Sequence, residues 1–105
     1  MLKESDKEII ICSAIYFQDS IKHDHQPINI MNGFVVCGHR HHNCFQTSHI
    51  LQPTHDYIKL RDTQGFLTNT NRFVDRKEGW IIAFNAGQLK EDSPASGTLY
   101  SEDLY

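Results

Sequence analysis

Histidine, arginine and cysteine are concentrated in one short block, Cys37-Gly-His-Arg-His-His-Asn-Cys44, which holds three imidazoles, one guanidinium and two thiols. Cysteine and histidine are common zinc ligands, and the i, i+3 spacing of His41 and Cys44 would let two helical side chains share an ion. A structural zinc site needs four ligands, and the block has no Cys-x-x-Cys pair and no clear second pair. We therefore favour burial of Cys37 and Cys44 as small apolar side chains over a metal site.

The same block also suits an anion. A glycine at the end of a strand, followed by the start of a helix, leaves free N–H groups where the helix dipole favours negative charge. Arg40 adds a two-pronged contact to phosphate or carboxylate, and His41, His42 and Asn43 offer hydrogen bonds. The equal alternative is a solvated helix start with one histidine packed inward.

A second polar block runs from Gln64 to Glu78. It combines hydroxyl and amide groups, two arginines four residues apart, and aromatic rings, which together suit a nucleobase-phosphate ligand. Its candidate ligand-binding residues are Phe66, Thr68, Asn71, Arg72, Phe73 and Arg76. The alternative places the phenylalanines in the core and pairs Arg76 with Asp75 or Glu78. We favour that alternative for Phe73 and a ligand role for Arg72.

Composition limits the classes of function. The chain has 105 residues, 39% of them hydrophobic, which predicts a single domain over residues 1–105 with a modest core. A net charge of −3 disfavours binding of duplex nucleic acid, but it allows a small anionic ligand held by a few local cations. Such a small core would benefit from a homo-oligomer.

The compartment follows from the cysteines and from hydropathy. Three cysteines, an odd number, argue against a disulfide framework. Residues 1–8 are charged, and the apolar run Ile9–Phe17 is too short for a signal peptide or a membrane span. We expect a protein of a reducing cytoplasm with a flexible segment 1–8 and no contact with a membrane.

Hydrophobic periodicity predicts an α+β fold, with an antiparallel or mixed sheet and two main helices in strand–turn–helix units. The predicted strands are Ile9–Phe17, Ile28–Met31, Gly33–Gly38, Tyr57–Leu60 and Gln64–Thr68, the rest of Thr54–Thr63 being loop. A first helix follows Gly38, with an inward stripe from His41 through Cys44, Phe45 and Ser48 to Leu51, and ends before Pro53.

The second helix is predicted over Arg76–Ala86, after a turn at Asn69–Asn71. Asp75 and Glu78 form a capping box, and Gly87 is the left-handed C-cap. Trp80, Ala83, Phe84 and Gly87 share one side of this helix. Residues 90–98 are a loop, and Leu99–Tyr105 is a final short element that Ser101 could cap.

Several segments of the chain resemble a group of short proteins encoded by bacteriophage and prophage genomes. The resemblance covers nearly the whole chain from Ile11 and rests on Gly33-Phe-Val-Val-Cys-Gly-His-Arg-His-His-Asn-Cys44, Gln64-Gly-Phe-Leu-Thr-Asn-Thr-Asn-Arg-Phe-Val-Asp-Arg-Lys-Glu78, Ile82-Ala-Phe-Asn-Ala-Gly-Gln88 and Leu99-Tyr-Ser-Glu-Asp-Leu-Tyr105. Gly79 departs from the group, which usually has alanine there; since glycine costs roughly 1 kcal/mol in a helix interior, it suggests close packing. Some small phage proteins of this kind sequester cyclic nucleotide signals of host immunity and do no chemistry.

This resemblance, together with the two polar blocks, implies a phage-encoded binding protein that sequesters a small cyclic nucleotide, with no catalytic residues, cofactor or metal. Both blocks would converge in one pocket, where Arg40, Arg72 and Arg76 hold phosphate. The sequence has no Walker loop, no Gly-x-Ser-x-Gly and no His-Glu-x-x-His. One alternative is a phosphoester- or nucleotide-processing enzyme that uses a histidine of His39–His42 as acid or base. The other is a protein-interaction module that inhibits a host factor.

Overall fold

The computed structural model describes residues 7–51, 61–93 and 95–105 of the chain. The elements follow in the order β1 Ile10–Gln18, β2 Phe34–Gly38, α1 His41–Leu51, β3 Arg61–Thr68, β4 Phe73–Asp75, α2 Arg76–Asn85 and a 3₁₀ turn at Ser101–Asp103. The strands form one antiparallel sheet in the order β2-β1-β3-β4. The predicted α+β domain with two main helices is confirmed.

β1 lies at the centre of the sheet because its side chains are buried on both faces. Ser13, Ile15 and Phe17 point to one face and are almost fully buried. The register pairs Ser13 with Phe66, so Phe66 shares that face. Ala14 points to the other face and is also fully buried. A β-branched and aromatic run buried on both sides suits this position.

Both helices pack on the face that carries Ser13, Ile15 and Phe66. Under α1, Cys44 packs with Ile15 and Phe17. Under α2, Ile82 and Ala83 pack with Ile10, Phe66, Val74 and Leu99. The predicted inward stripe of α1 is confirmed at His41, Cys44 and Ser48, which are buried.

The connection between β1 and β2 closes the opposite face. Gln26 accepts a hydrogen bond from the Val35 N–H in edge strand β2 (2.9 Å). Asn29 both donates to and accepts from the main chain of Phe73 in the other edge strand, β4 (2.6 and 2.9 Å). The connection therefore spans the sheet and occupies backbone groups at both edges, which limits pairing with other chains.

Gly65 in β3 is required by the close approach of β4. A Cβ at this position would overlap the Val74 carbonyl oxygen and lie 2.7 Å from Phe73 Cζ. The Phe73 ring instead covers this point, and its centroid lies 5.7 Å from that of Tyr16 on the same face. Gly79 in α2 is similarly constrained, because a Cβ would lie 3.2 Å from Phe66 Cδ2. The close packing that the sequence suggested at Gly79 is confirmed.

Several predicted elements need correction. Residues Ile28–Met31 form a turn rather than a strand, with the Ile30 N–H donating to the Pro27 carbonyl (3.0 Å). The prediction of loop up to Thr63 was wrong, because β3 begins at Arg61 and extends the pairing with β1. β4 was not predicted. Predictions for Pro53 and for a strand at Tyr57–Leu60 fall outside the described residues.

The second helix begins at Arg76 as predicted and ends at Asn85, one residue earlier than predicted, and its buried side overlaps the predicted one only at Ala83 and, in part, at Trp80. Asp75 caps it by accepting from the N–H groups of Lys77 and Glu78 (3.0 and 2.8 Å), and Gly87 adopts φ +70°. The buried residues are Gly79, Ile82 and Ala83, whereas Phe84 is exposed and stacks on Trp80. Ser101 is the first residue of the 3₁₀ turn, so the predicted Ser101 cap was wrong.

Candidate functional site

A cavity of about 250 Å³ lies where α1, α2 and the 3₁₀ turn begin. We call it the Arg40–Arg76 cavity; among the described residues it is lined by Arg40, His41, His42, Arg76, Tyr100, Ser101 and Glu102. His41 and Arg76 are the first residues of α1 and α2. The positive ends of both helix dipoles therefore lie at the cavity wall, where they favour negative charge.

Arg76 is held in place from three sides. Its Nη1 donates to the Leu99 carbonyl (2.8 Å) and its Nη2 to Gln64 Oε1 (2.6 Å). The guanidinium carbon lies 4.6 Å from the centre of the Tyr100 ring, a cation–π distance. Burial lowers the pKa of Arg76, although arginine remains charged in proteins. A guanidinium fixed in this way is preorganised, so a ligand need not order it.

Arg40 lies on the opposite wall, just before α1. Its N–H donates to Asn43 Oδ1 (3.0 Å), and its carbonyl accepts from the Asn43 N–H (3.0 Å). This exchange fixes the helix start and uses the Asn43 side-chain oxygen. The Arg40 guanidinium donates to the Tyr105 main-chain oxygen (3.0 Å) and lies 4.0 Å from Glu102. Its side chain is 33% exposed, so it remains reachable from the cavity.

The two imidazoles of the cavity differ in environment. His41 is buried, and its Nε2 lies 2.8 Å from the Gly65 carbonyl. Since a carbonyl only accepts, Nε2 carries the proton. Burial lowers the pKa of His41, which keeps the ring neutral near pH 7. His42 is exposed. His41 is therefore the inward histidine of the structural alternative, and His42 is the accessible one.

The remaining histidine of the first block packs elsewhere. The His39 ring lies 4.2 Å from the Tyr105 ring, centroid to centroid. Only one of the two thiols of the block agrees with its prediction. Cys44 is buried as expected, but Cys37 is exposed. Cys37 belongs to an edge strand and points away from the helices, so the prediction that it is buried was wrong.

A family model now identifies the chain. The model for the phage T4 y16D protein matches residues 9–105. The chain belongs to the phage T4 y16D protein family. Comparison with curated proteins and with solved structures found no match. The phage origin expected from the sequence resemblance is thus confirmed at the level of the family.

In this y16D family protein the residues of the second sequence block lie in five different places. Arg76 alone lines the Arg40–Arg76 cavity. Phe66 lies in the core beneath it, with its ring edge-on to that of His41 (5.1 Å). Phe73 is buried on the other face of the sheet, as the core alternative expected. Asn71 forms the β3–β4 turn with φ +61°, and its carbonyl accepts from the Ile28 N–H (2.8 Å).

Arg72 lies in a second cluster with Glu8. It donates through Nε and Nη2 to the two Glu8 oxygens (2.9 and 2.8 Å) and through Nη2 to Glu78 (3.0 Å). Thr68 donates to the same Glu8 carboxylate (2.8 Å). Hydrogen bonds from Arg72 and the threonines hold the pKa of Glu8 at about 2. These groups already satisfy one another, which leaves little capacity for an external anion. Glu78 bonds to Arg72 here rather than completing the predicted capping box.

Three residues of the cavity were missed by sequence reasoning: Tyr100, Ser101 and Glu102. The only signal was that the segment Leu99–Tyr105 carries part of the resemblance to phage proteins. Its role depends on contacts that no local pattern encodes, since Arg76 donates to Leu99 across 23 residues.

Two further classes of site were sought in the described part of the chain. No group of three or more His, Cys, Asp or Glu side chains there could hold a metal ion. None of its helices is long and apolar enough to cross a membrane.

Proposed function

We propose that this phage protein binds a small nucleotide in the Arg40–Arg76 cavity and sequesters it without chemistry. The observation that carries the proposal is that guanidinium groups from two distant sequence blocks border one cavity, beside two imidazoles and an aromatic ring. Each of these groups can contact one part of a nucleotide. The guanidinium groups can bind phosphate, the imidazoles can form hydrogen bonds, and the aromatic ring can stack on the base.

Local charge supports an anionic ligand even though the chain as a whole carries −3. The lining has two guanidinium groups and one carboxylate, which leaves one net positive charge before the histidines are counted. The helix dipoles of α1 and α2 add to it. Because few charges are involved, binding should weaken only moderately with salt, unlike binding of duplex DNA.

The size of the cavity restricts the ligand. A volume of about 250 Å³ lies just below the roughly 300–1,000 Å³ of common small-molecule sites. One nucleotide unit fits this scale, and a cyclic oligonucleotide would extend outside the cavity. A homo-oligomer could hold the extending part with a second copy. Sequestration of such a signal in the host cytoplasm would deprive an immune pathway of its messenger.

The test is calorimetric titration with 3′,5′-cyclic GMP and AMP, cyclic di-GMP, cyclic oligoadenylates and ADP-ribose isomers, using wild type, Arg40→Gln and Lys77→Gln. Lys77 is an exposed cation of α2 outside the cavity, so Lys77→Gln makes the same charge change as a matched control. Arg40→Gln removes a partly buried guanidinium that contacts the ligand. It should reduce the binding free energy by about 2 kcal/mol, which is roughly a 30-fold weaker Kd. Lys77→Gln should change the Kd less than about threefold.

The bound ligand is then recovered from denatured protein. Intact ligand supports sequestration. Altered ligand would instead indicate the enzyme alternative, with His42 as the accessible acid or base. Absence of binding to every nucleotide would contradict the proposal and favour a protein-interaction module. Equal effects of the two substitutions would show that binding occurs outside the cavity.

A further inference from the structure

Cys12 and Cys37 lie on adjacent antiparallel strands and point to the same face of the sheet. The register of β1 with β2 pairs Ala14 with Cys37, and Cys12 precedes Ala14 by two residues, so it shares that face. Diagonal neighbours across a strand pair are farther apart than residues directly opposite each other, but the Cys12 and Cys37 side chains are close enough to share a hydrogen bond. The two thiols therefore form a pair on the side of the sheet opposite the helices.

The third cysteine has a different environment. Cys44 is buried under α1, where it packs with Ile15 and Phe17. Its thiol lies 3.5 Å from the main-chain oxygens of Ser13 and Arg40. Cys37 is exposed and Cys12 is partly exposed. A small polar reagent can therefore reach the pair more readily than it can reach Cys44.

The two thiols of the pair are not equivalent. A hydrogen bond from the Cys37 thiol lowers the pKa of Cys12, and the same contact raises the pKa of Cys37. Cys12 is therefore the thiol that ionises more readily to the nucleophilic thiolate, and Cys37 is the one that holds its proton more firmly. A reactive thiolate next to a second thiol is the arrangement of redox-sensing cysteines.

We propose that Cys12 and Cys37 form a peroxide-sensitive dithiol that oxidation closes into a disulfide between β1 and β2. The Cys12 thiolate attacks hydrogen peroxide, so that an S–O bond forms, the O–O bond breaks, and the departing hydroxide is protonated to water. The Cys37 sulfur then attacks the Cys12 sulfenic acid, forming the S–S bond and breaking the S–O bond. The released hydroxide takes the Cys37 proton, and two thiols plus one peroxide give one disulfide and two waters.

The strand pair can accommodate the bond. A disulfide needs Cβ atoms about 4 Å apart, somewhat closer than diagonal neighbours in a regular ladder. The register of β1 with β3 shifts between Ile10 and Cys12, and such irregularities let a strand bend locally. Cys37 lies in edge strand β2, which pairs only with β1 among the described strands. Cys37 therefore lies in an edge strand, and Cys12 lies next to an irregularity in the pairing of the central strand.

The test is mass spectrometry of the full chain before and after hydrogen peroxide, followed by maleimide labelling in denaturant. Reduced protein should take three labels, one for each of its three cysteines. Oxidised protein should lose the mass of two hydrogen atoms, take a single label on Cys44, and recover all three labels after dithiothreitol. Proteolytic mapping should find Cys12 and Cys37 in one linked peptide pair.

Cys37→Ser keeps a hydrogen-bond donor beside Cys12 but removes the resolving sulfur, and the exposure of residue 37 makes it a mild change. In this variant the Cys12 sulfenic acid should persist and be trapped by dimedone, whereas wild type should give no adduct once oxidation is complete. The proposal is overturned if wild-type Cys12 proceeds to sulfinic acid while Cys37 stays free. It is equally overturned if Cys44 reacts first, or if no linked peptide forms.

Discussion

Replacement of Glu8 by glutamine should destabilise the fold in a pH-dependent manner. Glu8 is separated from Arg72 by 64 residues, yet it receives two hydrogen bonds from the guanidinium and others from Thr68 and Thr70. Its pKa of about 2 lies roughly two units below the ordinary glutamate value near 4.3, a difference of about 3 kcal/mol. Because 24% of its side chain is exposed, solvent screening reduces our expectation to about 2 kcal/mol.

The sign of the pH dependence follows from the direction of this shift. A carboxyl group whose pKa is depressed on folding binds fewer protons in the native state, so its contribution is complete above the unfolded pKa near 4.3. That contribution disappears as the pH falls from about 5 to about 2. Wild type and Glu8→Gln should therefore differ by about 2 kcal/mol at pH 7 and converge near pH 2.

Urea denaturation followed by fluorescence can measure this difference, because the chain has a single tryptophan, Trp80. Glu91→Gln is the matched control, since Glu91 is exposed. It should change the free energy of unfolding by less than about 0.5 kcal/mol. A Glu8→Gln effect that stays constant from pH 7 to pH 2, or that equals the control, would refute the assignment of this stabilisation to the ionised Glu8–Arg72 pair.

Three further predictions concern packing, capping and assembly. Gly65→Ala should lower the free energy of unfolding, measured by chemical denaturation, by at least about 3 kcal/mol, because the new Cβ would overlap the Val74 carbonyl. Gly87→Ala is the control and should lower it by only about 1 kcal/mol through backbone strain. In the same assay, Asp75→Ala should lower the free energy of unfolding by about 1 kcal/mol. Asp75→Ser should lower it much less, since serine can also cap α2. Sedimentation equilibrium should give a multiple of 12.2 kDa if the expected homo-oligomer forms, and a monomer mass would contradict that expectation.

The elements predicted correctly are those with a strong local pattern. β1 is a continuous β-branched and aromatic run, and α1 has its inward residues at helical spacing. β4 has only three residues, too few for any periodicity, and exists because Phe73–Asp75 pairs with β3. In the connection from β1 to β2, the prediction of a strand at Ile28–Met31 was wrong because contacts distant in sequence fix this segment. Asn29 contacts Phe73 across 44 residues, and nothing in the local sequence indicates that pairing.

The buried side of α2 was predicted incorrectly because the prediction was based on its two aromatic residues, Trp80 and Phe84. Trp80 and Phe84 are four residues apart and therefore share one side, as predicted, but they stack on each other near the surface. The core side carries Gly79 and Ala83, whose small side chains let α2 approach Phe66 and Leu99 closely. The side that faces the sheet therefore combines these two small residues with the hydrophobic Ile82.

The prediction of one shared pocket for both polar blocks did not foresee β4, the short strand that lies between Arg72 and Arg76. Arg72 and Arg76 would share a side only if both were helical, but Arg72 precedes β4 and Arg76 begins α2. The short strand between them sends one guanidinium to Glu8 and the other to Leu99 and Tyr100. Arg40, by contrast, immediately precedes α1, so the junction of strand and helix places its main chain beside the cavity.

The residues that meet at the Arg40–Arg76 cavity are therefore those at the starts of helices. The Asp75 carboxylate already accepts from the first turn of α2, so this helix contributes Arg76 and its dipole rather than free N–H groups. At α1 the Arg40 carbonyl accepts from the N–H groups of Asn43 and Cys44, which occupies two of the N–H groups near the start of this helix. An anion in this cavity must then rely chiefly on side-chain donors. Arg40→Gln should consequently weaken binding far more than any change that only alters a helix cap.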